Sequence, residues 1–152
     1  MPKLTIDLET SLSPDRVRGA LLDFTDNRPA IWPGIEPSLY EVHSVGADHA
    51  VVKEGSKMPG TSVWAVEEYD WSDPAHITWT VRESNFCAPG SYVSAAISAR
   101  PGGGSRIRVV WHRTPTSFSG RVAAMLIVAT RGKPVAASFQ SAMRILERAP
   151  AA

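Results

Sequence analysis

Apolar and polar residues alternate almost from the start of the chain. Leu4, Ile6 and Leu8 are interleaved with Thr5, Asp7 and Glu9, a period of two that predicts a strand over 4–11 with one wet face. Ser13-Pro14-Asp15 then marks a helix start: a hydroxyl that can cap, a proline suited to the first turn and a carboxylate at the positive helix end. The helix is predicted over 14–25, with Val17, Leu21, Leu22 and Phe24 on its apolar side. Asp26-Asn27-Arg28-Pro29 interrupts it. Pro33 and Pro37 prevent a long helix from following, so the next stretch is read as a short helix or turn that carries Ile31, Trp32 and Ile35 inward.

From Leu39 to Thr114 the pattern is strand after strand, with segments predicted at 39–46, 49–55, 61–71, 75–84, 91–100 and 105–114. The spacers are short and rich in Gly, Pro and Asp, which implies antiparallel hairpins. Beyond Thr114 the apolar period changes to three and four. Phe118, Val122, Met125, Leu126 and Ala129 are followed by Val135, Phe139, Ala142, Met143 and Leu146, which predicts one long helical segment broken or kinked near Pro134. Seven strands need a cover for their apolar face, and one long amphipathic helix is on offer. An α+β architecture follows, in which a twisted, curved antiparallel sheet wraps that helix. Such a curve leaves a cavity wherever side chains do not fill it, bounded by the inner sheet face, the helix and the surroundings of Trp32.

The order of elements, the Trp32-Pro33 segment after the first helix, the Pro59-Gly60 lead into the strand ending Tyr69-Asp70, and the terminal helix resemble the START/Bet v1-like (SRPBCC) superfamily. Within it, the chain looks most like the bacterial polyketide cyclase/dehydrase and lipid-transport branch, over residues 3–148. The resemblance implies a helix-grip fold: a curved seven-stranded antiparallel sheet around a long C-terminal helix, with two short helices after the first strand. It also implies a central cavity for apolar or amphipathic small molecules. Members of the superfamily include carriers, ligand sensors, aromatase/cyclases and co-chaperones, so shared fold leaves the activity open.

Length and charge narrow the picture further. The chain has 152 residues, of which 16 are Lys or Arg and 15 are Asp or Glu, for a net charge of +1. One domain over 1–152 is expected, with a proper core. The near-balance of charge removes the general phosphate attraction on which nucleic-acid binders depend. No apolar run reaches the ~18 residues of a membrane span, so stable membrane insertion is not expected. The N-terminal residues carry no apolar signal segment, and a cytoplasmic location is the expectation. Monomer and homodimer both remain open.

The candidate chemistry is sparse. Cys87 is the single cysteine, and His43, His49, His76 and His112 show no metal-ligand spacing, so neither a metal nor a cofactor is expected. Pro101-Gly102-Gly103-Gly104 runs into a strand, which reads as a hairpin and not as a phosphate cradle. The carboxylates say more. In the strand 75–84, Ile77, Trp79, Val81 and Glu83 share the apolar parity, which places Glu83 inward, within the cavity or at its rim beside Arg113. The strand 61–71 has apolar residues on both parities, so the face that Glu67 and Tyr69 share is undetermined. An inward carboxyl in an apolar cavity has a raised pKa and can orient a ligand or act as an acid. The expected ligand-binding set is Trp32, Trp64, Tyr69, Trp79, Glu83, Trp111, Arg113, Phe118, Val122 and Met125. No residue is assigned catalysis outright; Glu67, Glu83 and Tyr69 are the candidates if turnover occurs. Arg121, Arg131, Lys133, Arg144 and Arg148 read as the solvated face of the terminal helix, with contact to an anionic membrane surface as the lesser alternative. The favoured function is binding or transport of a hydrophobic or aromatic small molecule, lipid- or polyketide-like. A cyclase/dehydratase-type enzyme is the first alternative and a co-chaperone-like interaction module the second.

Overall fold

The computed structural model describes residues 3–149. The strands are β1 (Leu4–Thr10), β2 (Glu41–Val45), β3 (His49–Met58), β4 (Thr61–Asp70), β5 (His76–Ser84), β6 (Tyr92–Ala99) and β7 (Ser105–His112). They form one antiparallel sheet in the order β1-β7-β6-β5-β4-β3-β2. Two short helices, α1 (Pro14–Leu21) and α2 (Arg28–Ile31), follow β1, and α3 (Phe118–Ala129) and α4 (Lys133–Arg148) close the chain.

Register decides what faces inward. One row of cross-strand neighbours runs Leu4, Trp111, Val93, Trp79, Tyr69 and Ala50. The next row runs Ile6, Val109, Ala95 and Ile77. All but the half-buried Leu4 are buried, because β-strand alternation puts every second residue on the same face. Phe139, Ala142 and Met143 of α4 pack onto this face, joined by Val17, Ala20 and Leu21 of α1.

Two irregularities bend the sheet. The β2–β3 register shifts between Val42 and Ser44, and every residue of β2 is exposed. In the β4–β5 pair, Glu67 faces Val81 and Val66 faces Glu83, which leaves Arg82 as an extra residue in β5. A bulge of this kind increases local twist and re-aims the side chains beyond it.

The first helix is shorter than the pattern predicts and stops at Leu21. Asp23 Oδ1 accepts hydrogen bonds from Thr25 N and Thr25 Oγ1, at 3.0 and 2.5 Å, and this turn redirects the chain. The terminal helix is two helices bent by 83°, not one kinked rod. The break lies at Arg131 and Gly132, with φ of 54° and 83°, while Pro134 sits in the first turn of α4. Gly132 is required twice over. Its backbone is left-handed, and a Cβ there would lie 2.5 Å from Ile6 Cδ1.

Candidate functional site

Between α4, the α2 segment and the inner faces of β3–β5 lies a cavity of about 260 Å³. Its apolar wall is a run of rings. Tyr69 stacks on Trp79 at 5.5 Å between centroids, Trp79 stacks toward Phe139 at 6.5 Å, and Trp32 meets Phe139 edge-on at 5.3 Å. The Trp32 indole Nε1 donates to Ala20 O at 3.1 Å, so its polar edge is satisfied and its ring is locked.

The polar side of the cavity is built from two ion pairs. Arg28, 2% exposed, donates from Nε to Glu54 Oε2 at 2.8 Å. Its other nitrogens reach Leu21 O and Asp23 O, at 2.9 and 3.0 Å, and the Tyr69 hydroxyl at 3.0 Å. Tyr69 in turn donates to Glu54 Oε1. One arginine therefore ties the α1–α2 turn to β3 and β4. The second pair is Arg113 Nη2 to Glu67 Oε2 at 3.1 Å, with the Glu67 side chain 7% exposed. Arg113 Nη1 lies 3.9 Å from the Cys87 thiol, and Arg113 also borders a smaller apolar cavity of about 120 Å³ beneath α3.

The two pairs differ in how their donors and acceptors are used. Arg28 engages four acceptors and is a structural clamp. Arg113 has two partners for five N–H groups, and Glu67 shares one of its two oxygens. Both line the cavity, so their spare capacity is available to a ligand. Burial pushes the Glu67 carboxyl above the ordinary carboxylate range, and Arg113 only partly offsets this. Burial also drives the Tyr69 hydroxyl well above its usual value, with the Glu54 carboxylate adding to the effect, so Tyr69 is a neutral donor at physiological pH. Burial works against the Arg113 charge, yet Glu67 and the neighbouring Cys87 together outweigh it and raise the Arg113 pKa.

Of the residues expected from the sequence, Trp32, Tyr69, Trp79, Arg113 and Glu67 converge on the cavity. The undetermined face of β4 is thereby fixed: Val63, Ala65, Glu67 and Tyr69 point in. Trp64 lies on the opposite face, where Lys53 Nζ sits 4.8 Å from its ring centroid. Glu83 corrects the parity argument. Arg82 and Glu83 together oppose Val66, so Ser84 takes the inward place opposite Ala65 and Glu83 is exposed. Its expected partner, Arg113, is held by Glu67 instead. Trp111 is buried but borders the smaller cavity under α3. Phe118, Val122 and Met125 lie on the outer face of α3, at 82%, 43% and 67% exposure, because the bend at Gly132 turns that helix away from the cavity.

Arg28, Glu54 and Phe139 are site residues that the sequence reading passed over. Glu54 shares the parity of the buried Ala50 and Val52, a signal that was present in the alternation. Arg28 sits in a turn-like run, and nothing local marks its burial.

A curved sheet with a cavity roofed by a C-terminal helix defines a helix-grip domain of the START/Bet v1-like kind. The chain belongs to the family described as polyketide cyclase / dehydrase and lipid transport, whose model matches residues 1–149. Among solved structures, it is similar to the protein TTHA0849 of Thermus thermophilus (17% identity, TM-score 0.76, covering 98% of this chain and 100% of that one). It is also similar to the Zhui aromatase/cyclase of Streptomyces sp. R1128 (12% identity, TM-score 0.78, 97% and 94% covered). Norcoclaurine synthase of Thalictrum flavum shares the fold as well (11% identity, TM-score 0.69, 97% and 87% covered). No curated protein sequence matches this chain.

Proposed function

We propose that this protein binds a small, planar, largely apolar molecule bearing one or two oxygen functions. The observation that carries the reading is the juxtaposition of the Tyr69–Trp79–Phe139 ring wall with a half-used Glu67–Arg113 pair inside one cavity. Ring stacking and apolar burial supply affinity, and the carboxyl and guanidinium select orientation. A volume of about 260 Å³ is small for a ligand site, which favours a compact ring system over a long acyl chain. Arg28 and Glu54 neutralise each other, as do Arg113 and Glu67, so the site favours a neutral polar ligand.

The test is a panel of hydroxylated bicyclic and tricyclic aromatics, read by tryptophan emission and melting temperature. Compounds of this class should quench emission and raise the melting temperature, and Trp79→Leu should lose both responses. A panel that leaves both signals unmoved in the wild type overturns the reading.

A second reading, a cyclase/dehydratase-type enzyme, is favoured by one further observation. A carboxyl with a raised pKa beside an arginine with free donors is the arrangement needed to protonate a leaving hydroxyl or to stabilise an enolate. Glu67→Gln should then abolish turnover of a cyclisable substrate while ligand binding persists. The co-chaperone-like alternative predicts a filled interior together with a large exposed apolar patch; the cavity counts against the first, while the exposed Phe118, Val122 and Met125 agree with the second.

A further inference from the structure

The outer face of α3 is apolar where a solvated helix should be polar. Phe118, Val122, Met125 and Leu126 are exposed, and with Ala129 they recur at i, i+4, i+7, i+8 and i+11, a single stripe. The face turned toward the protein buries Gly120 and Ala124, with Ile127 and Val128 packed against the core. The helix is firmly seated. Ser117 caps it, and Gly120 lies so close to the Phe86 carbonyl that a Cβ would come within 2.5 Å. The stripe is therefore presented by a capped helix held against the protein at its first turn.

Charge is segregated in the same direction. Between Glu83 and Glu147 the chain contains no Asp or Glu. Of the basic residues in that stretch, Arg100, Arg106 and Arg108 are neutralised by Glu9 and Asp7, and Arg113 by Glu67. Arg121 lies on the apolar stripe, one turn from Phe118 and Met125, and Arg131 and Lys133 sit at the bend where α3 ends. All three are exposed, and none pairs with a carboxylate among the described residues.

We infer that the outer face of α3 docks on an anionic lipid bilayer, with Phe118, Val122, Met125 and Leu126 entering the interface and Arg121, Arg131 and Lys133 meeting the headgroup phosphates. Large apolar side chains interleaved with unpaired cations are what such a surface selects. Charge complementarity favours lipid over a second copy of the chain. A two-fold interface through this helix would set these cations against themselves, and α3 itself carries no acidic residue to answer them. Docking is peripheral, since no single helix among the described residues is long and apolar enough to cross a membrane.

The experiment is co-sedimentation of the full chain with phosphatidylcholine vesicles, with and without roughly 30% phosphatidylglycerol. Binding should require the anionic lipid and should disappear when salt is raised to about 0.5 M. Phe118→Ser with Met125→Ser, and separately Arg121→Glu with Lys133→Glu, should each weaken binding by about tenfold or more. All four positions are exposed, so the melting temperature should not change. The charge-reversal pair keeps the test decisive if the serine pair misfolds. The inference is overturned if anionic vesicles fail to bind at low salt or if both double variants bind as the wild type does. It is also overturned if light scattering shows a dimer or larger assembly that Phe118→Ser dissociates. The ligand panel tests the cavity separately, so either result stands without the other.

Discussion

Two buried arginines do opposite work. Arg28 is saturated by partners on α1, β3 and β4, so its removal strands Glu54. Arg28→Met should lower stability by about 3–5 kcal/mol in urea unfolding, and pairing it with Glu54→Leu should restore much of that. Glu67 titrates at a raised pKa, and the sign follows from that direction. The folded protein holds the Glu67 proton more tightly than the unfolded chain, so this residue contributes most below the ordinary carboxylate pKa, and its contribution fades as pH rises through the folded value. Glu67→Gln preserves an acceptor for Arg113 but cannot ionise. The stability of the wild type minus that of Glu67→Gln should therefore fall between pH ~4 and pH ~7. A flat difference across that range would show that Glu67 is not perturbed.

At the scale of elements, the sequence pattern located strands well and the ends of helices poorly. The six later strands fall within a few residues of their expected places because alternation and Gly/Pro turns are local signals. The 83° break in the terminal helix was legible only as a disturbance near Pro134. What sets it is the Arg131-Gly132 left-handed pair and the contact with Ile6, which is distant in sequence. Gly132→Ala should cost upward of about 1 kcal/mol, from backbone strain and the clash together. Gly19 is the contrasting case: it is exposed within α1, and a Cβ there meets nothing within 4 Å. Gly19→Ala should raise stability by about 0.5–1 kcal/mol. Urea midpoints of the two variants, measured side by side, check both signs.

For the whole molecule, element order carried the architecture, and the cavity followed from it. The site was only partly legible. Trp32, Tyr69 and Trp79 could be nominated for their aromatic character, and Arg113 for sharing the apolar parity of its strand, whereas Glu67 stayed a candidate on a strand whose inner face alternation did not choose. Trp64 and Glu83 could not be placed correctly, since their facing depends on pairing between strands. Phe118, Val122 and Met125 were assigned to the cavity because their spacing is helical and apolar, and a periodic stripe does not say which side of the helix meets the core. In α3 Phe118, Val122, Met125 and Leu126 face out, while Gly120, Ala124, Ile127 and Val128 meet the protein.

The extra residue in β5 has a consequence for how this architecture can vary. Arg82 and Glu83 lie in a kink opposite Val66, and the residues that flank this pair, Val81 and Ser84, already face the interior. Excising Arg82 would leave both pointing as they do now and would straighten the strand, so the hollow would change breadth while its lining stayed the same. The breadth of the interior is therefore adjustable at this one position, without recoding the wall.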